Sequence, residues 1–182
     1  MNIIETEIEG VLIVEPRVFT DARGYFFESW SRAAFEAAGL RYDFVQDNQS
    51  QSVYGTIRGL HFQKGAHAQA KLVRALAGTV LDVAVDLRAG SPTFGRHVAV
   101  ELSAENRRQL LIPRGFAHGF SVLSETVVFA YKCDNFYCRE SEAGLRFDDP
   151  ALGIDWRVPA GKALLSDKDR LNPPLKDFVP CF

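Results

Sequence analysis

The sequence lacks the features that mark membrane-spanning and secreted proteins. No apolar run approaches the roughly 20 residues that a membrane-spanning helix needs. The first ten residues, M-N-I-I-E-T-E-I-E-G, carry acidic side chains where a signal peptide has a basic region and a long apolar run. The cysteines, Cys133, Cys138 and Cys181, are odd in number and include no tight metal-binding pair. We therefore expect a cytoplasmic protein with reduced thiols.

The chain also lacks an excess of one charge. Its formal net charge is −2, its isoelectric point is near 6.1, and its basic residues are dispersed rather than clustered. We therefore expect neither a nucleic-acid nor a membrane partner. Methionine is scarce, with 1 residue against 14 phenylalanines, which suits a rigid interior lined by aromatic rings. A length of 182 residues suffices for one domain, 1–182, with a sizeable core.

Short runs of alternating apolar residues, separated by Gly and Pro turns, recur along the chain. In 79–87 one predicted face carries Leu81, Val83, Val85 and Leu87, and the other carries Val80, Asp82, Ala84 and Asp86. Only 31–38 has the serine start and the following glycine of a helix. The polar run 45–52 is typical of a loop. Many short strands with one short N-terminal helix and an irregular C-terminal part predict an all-β barrel or double-sheet jelly roll.

One stretch, 55–71, carries more polar side chains than an ordinary core strand, which indicates that they line a wet cavity. His61 can exchange a proton near neutral pH, and Lys71 can stabilise a developing negative charge. This combination suits chemistry on a carbon next to a carbonyl group.

Simple alternation does not place the polar residues of this stretch on one face. It groups Ile57 with His61 and Gln63 on one face, and Arg58 with Leu60 and Phe62 on the other. If Arg58 and His61 serve one site, either the strand bulges or the site draws on both faces of the strand.

Three further features have both a structural and a functional interpretation. The segment 113–120, P-R-G-F-A-H-G-F, resembles the second half-motif of cupin barrels, but the H-x-H pair that many cupins use for metal is missing, so we expect no metal. Tyr131 alternates with Val127 and Phe129 and should face the interior, as a core residue or as an acid opposite His61. The acidic residues of 166–169, S-D-K-D, usually form a solvated turn.

Eight collinear segments resemble dTDP-4-dehydrorhamnose 3,5-epimerase along nearly the whole chain. They are D-A-R-G-Y-F-F-E (21–28), Q-D-N-Q-S (46–50), G-T-I-R-G-L-H-F-Q (55–63), A-Q-A-K-L-V-R (68–74), P-R-G-F-A-H-G-F (113–120), Y-K-C-D-N-F-Y (131–137), D-D-P-A-L-G-I-D-W (148–156) and L-S-D-K-D (165–169). The resemblance implies a cupin-type jelly roll that forms a homodimer and needs no metal or organic cofactor. The implied reaction epimerises carbons 3 and 5 of dTDP-4-dehydro-6-deoxy-D-glucose to dTDP-4-dehydro-L-rhamnose, in dTDP-rhamnose biosynthesis.

Alternatives to this reaction remain open on the motifs alone. A mono-epimerase acting on one carbon of a related nucleotide-linked 4-keto sugar retains the same residues. Two further hypotheses are a non-catalytic cupin that binds sugar or nucleotide and a metal-dependent cupin dioxygenase.

The resemblance also implies roles for individual residues. His61 is the proton-abstracting base, Asp169 orients it, Lys71 faces the sugar keto oxygen, and Tyr131 is the acid on the opposite face of the ring. Tyr137 stacks on the thymine. The remaining residues implied to hold the nucleotide and sugar are Arg23, Glu28, Gln46, Asn48, Arg58, His118, Glu142 and Lys168.

Overall fold

The computed structural model describes the backbone of residues 1–182 and every side chain except that of residue 160. This part of the chain forms thirteen strands and two short α-helices. The strands are β1 (Asn2–Glu5), β2 (Leu12–Glu15), β3 (Phe19–Asp21), β4 (Gly24–Phe26), β5 (Gln46–Val53), β6 (Ile57–Gln63), β7 (Lys71–Ala77), β8 (Thr79–Asp86), β9 (His97–Ser103), β10 (Gln109–Ile112), β11 (Phe116–Val122), β12 (Thr126–Cys133) and β13 (Glu142–Gly144). The helices are α1 (Arg32–Ala37) and α2 (Asp167–Arg170).

The strands form two main sheets and a separate hairpin. The six-stranded sheet has the order β1-β2-β10-β7-β12-β5, the five-stranded sheet has the order β13-β6-β11-β8-β9, and β3 pairs only with β4. Neighbouring strands in all three are antiparallel. The predicted all-β, double-sheet jelly roll of the cupin type is confirmed.

The main core lies between the two sheets. Val73 and Phe129 of the six-stranded sheet pack there with Val80, Ala84 and Phe120 of the five-stranded sheet. The outer face of the five-stranded sheet is covered by the C-terminal part of the chain. The predicted alternation along 79–87 is confirmed, because its two sets of apolar residues pack in these two different clusters.

The predicted N-terminal helix is confirmed as α1. Ser31 caps it, and its Oγ accepts a hydrogen bond from the Ala34 N–H at 3.4 Å. Gly39 follows with a φ of +80°, a left-handed conformation that favours glycine. Phe35 anchors the helix to the outer face of the six-stranded sheet. Among the described residues, neither α-helix has the length and apolarity needed to cross a membrane.

The prediction of a loop over 45–52 was wrong. Residues 46–53 form β5, which pairs with β12 along its full length, from Gln46 opposite Cys133 to Val53 opposite Thr126. Alternate side chains of the strand are at least partly buried and have polar partners: Gln46 bonds Asn48 and the Tyr137 N–H, and the Ser52 hydroxyl accepts from Arg58. A strand with two polar faces lacks the apolar alternation by which strands are recognised.

Candidate active site

His61 and Asp169 form a paired imidazole and carboxylate. His61 lies on β6, and its Nε2 is 2.5 Å from Oδ1 of Asp169 on α2. Only 4% of the Asp169 side chain is exposed. Burial acts to raise the pKa of Asp169, but hydrogen bonds from His61, the Gly59 N–H and Ser166 outweigh it and hold this pKa below its ordinary value. The carboxylate therefore stays ionised behind the imidazole at neutral pH.

Ser166 fixes the position of Asp169. Its hydroxyl caps α2 by accepting a hydrogen bond from the Asp169 N–H at 3.1 Å. The expectation of a solvated turn fails for Asp169, whereas the neighbouring Asp167 is exposed.

A bulge in β6 brings Arg58 to the same side as His61. His61 stands opposite His118 and Arg58 opposite Phe120, two residues on the same face of β11, whereas Ile57 packs with Leu60 and Phe62 on the outer face of the sheet. The alternation that grouped Ile57 with His61 was therefore wrong, and the alternative of a bulged strand is correct.

Gly59 makes this bulge possible. The pairing register shifts between His118 opposite His61 and Phe120 opposite Arg58. Gly59 has a φ of +137°, and a Cβ atom there would lie 2.5 Å from the Cα atom of Gly119. No larger residue fits this approach of two backbones.

The cavity beside His61 has a volume of about 340 Å³. Its lining includes five predicted site residues, which are Arg58, His61, Glu142, Lys168 and Asp169.

Lys71 lies on β7 of the six-stranded sheet, so it comes from the sheet that faces His61. Among the described residues its Nζ has no hydrogen-bond or ion-pair partner, and it lies 6.0 Å from the centre of the Tyr131 ring. Burial lowers the pKa of Lys71, while the charges of Cys133, Asp82 and Glu142 oppose this change. The amine is thus available to an incoming polar group.

Tyr131 lies on β12, next to Lys71 on the six-stranded sheet. Its ring packs with Phe129 against the core between the sheets, as predicted from its spacing. Burial raises the pKa of the Tyr131 hydroxyl, and Arg58 opposes this shift. The phenol therefore keeps its proton at neutral pH.

A second group of predicted site residues is joined around Glu142. One of its oxygens, Oε2, accepts a hydrogen bond from the Tyr137 hydroxyl at 2.9 Å and pairs with Lys168 Nζ at 2.5 Å. The Tyr137 N–H donates to Gln46 at 3.1 Å, and Gln46 donates to Asn48 at 2.9 Å. These contacts connect β5, the segment before β13, and α2.

Two predicted site residues, Arg23 and Glu28, lie apart from this group within the single chain. Arg23 is at the turn of the β3–β4 hairpin, 90% exposed, where it pairs with Asp21. Glu28 lines a different groove, together with Trp30 and Phe35.

Comparison with known proteins identifies the family. A sequence profile described as dTDP-4-dehydrorhamnose 3,5-epimerase matches residues 5–177. The chain belongs to this family. The predicted resemblance and the predicted enzyme class, an isomerase, are confirmed.

Individual members of the dTDP-4-dehydrorhamnose 3,5-epimerase family are similar over nearly the whole chain. The enzyme of that name from Shigella flexneri is 55% identical over 170 residues, covering 93% of either chain. The crystal structure of the enzyme from Elizabethkingia anophelis NUHP1 is 56% identical, with a TM-score of 0.93 and 97% of both chains covered. The enzyme from Legionella pneumophila Philadelphia 1, solved in complex with dTDP-4-keto-L-rhamnose, is 49% identical, with a TM-score of 0.94, covering 98% of this chain and 94% of its own.

The sequence assigned no role to two residues of this epimerase, Gln63 and Asp82, that the structure places near the site. Gln63 holds the loop that carries Tyr137: its Nε2 donates to the Phe136 carbonyl at 3.0 Å, and its Oε1 accepts from the Cys138 N–H at 2.6 Å.

Asp82 is the second of these residues. It is fully buried and pairs with His118 at 2.9 Å. The sequence signal for Asp82 was a carboxylate between Val80 and Ala84 on one face of a predicted core strand.

Proposed function

We propose that this epimerase inverts carbons 3 and 5 of dTDP-4-dehydro-6-deoxy-D-glucose and produces dTDP-4-dehydro-L-rhamnose. The names of its relatives and the ligand of the Legionella enzyme support a dTDP-linked 4-keto sugar as substrate. The observation that carries the mechanism is the pairing of His61 with the buried Asp169, on the sheet opposite Lys71 and Tyr131.

His61 acts as the base that removes the proton next to the keto group. Because Nε2 is held by Asp169, the nitrogen left for the sugar is Nδ1. When Nδ1 takes the proton, the imidazole becomes positively charged, and the adjacent carboxylate stabilises that charge.

Lys71 stabilises the other product of this step, the enolate. The proton next to a carbonyl is weakly acidic, so negative charge must be stabilised on the keto oxygen as it develops. A cation held in a buried position, without a competing partner among the described side chains, suits this task.

Tyr131 returns a proton to the opposite face of the ring. A base acting alone would return the proton to the face from which it came, so inversion needs a second donor. Tyr131 comes from the sheet that faces His61, and its raised pKa keeps the phenol in the protonated form that a donor needs.

The group around Glu142 holds the nucleotide and sugar. Tyr137 is 56% exposed and belongs to no core cluster, so its ring can stack on a thymine without disturbing the core. Positive or hydrogen-bonding groups come from Arg58, Lys168 and the buried His118. Amide groups come from Gln46 and Asn48 on β5.

The test of this function is analysis of the product by NMR after a few turnovers. We expect inversion at both carbons of dTDP-4-dehydro-6-deoxy-D-glucose. A product inverted at only one carbon would assign the chain to the mono-epimerases, and absence of turnover would overturn the proposal.

Replacing Asp169 with asparagine should reduce the rate of epimerisation by about 10- to 100-fold, the range for losing a hydrogen bond to a charged group. The imidazole remains, so the loss should be smaller than that caused by removing His61. Asp167→Asn is the matched control, because Asp167 is exposed on the same helix. Steady-state rates that fall for Asp167→Asn and not for Asp169→Asn would contradict the assignment.

We also propose that the chain forms a homodimer in which the β3–β4 hairpin reaches the partner's site. The hairpin exposes the aromatic side chains of Phe19, Tyr25 and Phe26, which are 51%, 58% and 69% exposed. Exposed aromatic clusters of this kind are typical of interfaces. The proposal also explains why Arg23 and Glu28 lie away from His61 within one chain.

Mixing two inactive variants tests this arrangement. If Arg23 of one chain serves the site that holds His61 of the other, dimers of Arg23→Ala with His61→Asn contain one complete site. Random mixing should then restore roughly a quarter of wild-type activity. Lys71→Ala mixed with His61→Asn should restore none, because both residues belong to the same chain's site. Failure of the first pair to recover activity would place Arg23 elsewhere.

A cytoplasmic location remains part of the proposal. It is supported by the three cysteines, each of which is free in the structure.

A further inference from the structure

Asp82 is a carboxylate buried in the core between the two sheets. It lies on β8, none of its surface is exposed, and its inward neighbours on the strand are Val80 and Ala84. In the adjoining strands it stands opposite Phe120 and Val100. A carboxylate in such apolar surroundings is unfavourable unless a specific partner compensates for the loss of water.

The partner of Asp82 is the imidazole of His118. Nε2 of His118 lies 2.9 Å from one Asp82 oxygen and 3.1 Å from the other. His118 is on β11, between β8 and β6, and stands directly opposite His61. Two imidazoles on adjacent strands are therefore each held at Nε2 by a buried carboxylate.

The second ring nitrogen of His118 remains available. Within the described residues, Nδ1 has no hydrogen-bond partner, and the ring lines a cavity of about 10 Å³ together with Gln63, Gln69 and Lys71. Burial lowers the pKa of His118 and raises the pKa of Asp82, and the contact between the two groups opposes both shifts. A neutral imidazole whose Nε2–H donates to Asp82 carries an unprotonated Nδ1, which accepts a hydrogen bond.

We propose that Asp82 is a positioning residue of the epimerase: it fixes the tautomer and orientation of His118 so that Nδ1 accepts a hydrogen bond from a hydroxyl group of the bound sugar. This inference rests on the proposed function and adds a residue to it. Asp82 touches neither the sugar nor the reacting carbons. Its charge also lies near Lys71, where it opposes the lowering of the Lys71 pKa by burial.

Asp82→Asn separates this role from a structural one. The substitution keeps the size of the side chain, removes its charge, and allows the amide to donate to Nε2 and so to select the wrong tautomer. We expect kcat/KM to fall by about 5- to 100-fold, the range for leaving one buried polar group without its hydrogen-bond partner. Because removing a buried charge relieves its desolvation, we expect the Tm to be unchanged or higher.

Asp149→Asn is the matched control. Asp149 is also a buried aspartate, but its oxygens accept hydrogen bonds from the backbone N–H groups of Ala151 and Leu175, away from the sheets' interior. Its replacement should lower the Tm and leave kcat/KM of the folded enzyme unchanged. This is the opposite of the result expected for Asp82→Asn.

A double-mutant cycle tests whether Asp82 acts through His118. In a His118→Asn background, Asp82→Asn should change kcat/KM by about twofold or less, because two residues in one contact are not additive. An Asp82→Asn enzyme with wild-type kcat/KM, or an effect that persists in full without His118, would overturn the inference. If wild-type enzyme fails to epimerise the sugar, the proposed function fails instead.

A measurement on the unaltered enzyme covers the case in which Asp82→Asn does not fold. The nitrogen NMR signals of His118 should show Nε2 protonated and Nδ1 unprotonated. The reverse tautomer would overturn the inference.

Discussion

His61→Asn is expected to abolish the exchange of substrate hydrogen with solvent and the formation of inverted product. General-base catalysis typically contributes about 10²- to 10⁴-fold, and losing the only base should reach the upper end of that range. Binding of dTDP should change little, because the nucleotide contacts proposed above lie around Glu142, on β13 and the neighbouring segments. Both quantities are measurable, by NMR in heavy water and by calorimetry.

His67→Asn is the control for this experiment, because His67 belongs to the same polar stretch but is exposed. Its activity should equal that of the wild type. If His61→Asn still exchanges hydrogen at a wild-type rate, the base is another residue. Loss of dTDP binding together with activity would point to a general disturbance of the site.

Tyr131→Phe is expected to separate exchange from inversion. The substitution removes only the hydroxyl and keeps the ring that packs on Phe129. His61 would still remove protons, exchange them with heavy water, and return deuterons to the enolate on the same face. Deuterium should therefore enter the substrate, while inverted product falls by about 10²- to 10⁴-fold.

The other outcomes for Tyr131→Phe are equally informative. Loss of both exchange and inversion would show that the tyrosine is needed for proton removal. Unchanged kinetics would make it a core residue and assign the donor role elsewhere. Tyr54→Phe provides a control, since Tyr54 is an exposed tyrosine outside the proposed site.

The strands and the helix that follow local rules were predictable from the sequence. Apolar alternation identifies β8 and β12, and the serine cap with a following glycine identifies α1. The inward position of Tyr131 follows from the same alternation. Each of these features depends on residues that are close together in the chain.

The polar strand β5 and the bulge in β6 were not predictable in this way. The polar composition of β5 suits a polar environment, which other parts of the chain create around Gln46 and Asn48. The bulge depends on the approach of Gly59 to Gly119, which are 60 positions apart in the sequence and adjacent only through the pairing of β6 with β11. Local alternation contains no information about either contact.

The carboxylates behind the two imidazoles illustrate the same limit. The sequence separation is 108 residues for His61 and Asp169, and 36 for His118 and Asp82. The resemblance to the family supplied Asp169, and only the folded structure reveals what Asp82 contacts. Spacing alone predicted a solvated turn for Asp169 and gave no prediction for Asp82.

In the proposed mechanism, His61 removes a proton from each carbon and Tyr131 supplies a different one from the opposite face. The most direct test is conversion of the substrate by wild-type enzyme in heavy water, followed by NMR of the product at carbons 3 and 5. This mechanism predicts that both inverted carbons carry deuterium. Inverted carbons that keep the hydrogens of the substrate would contradict it.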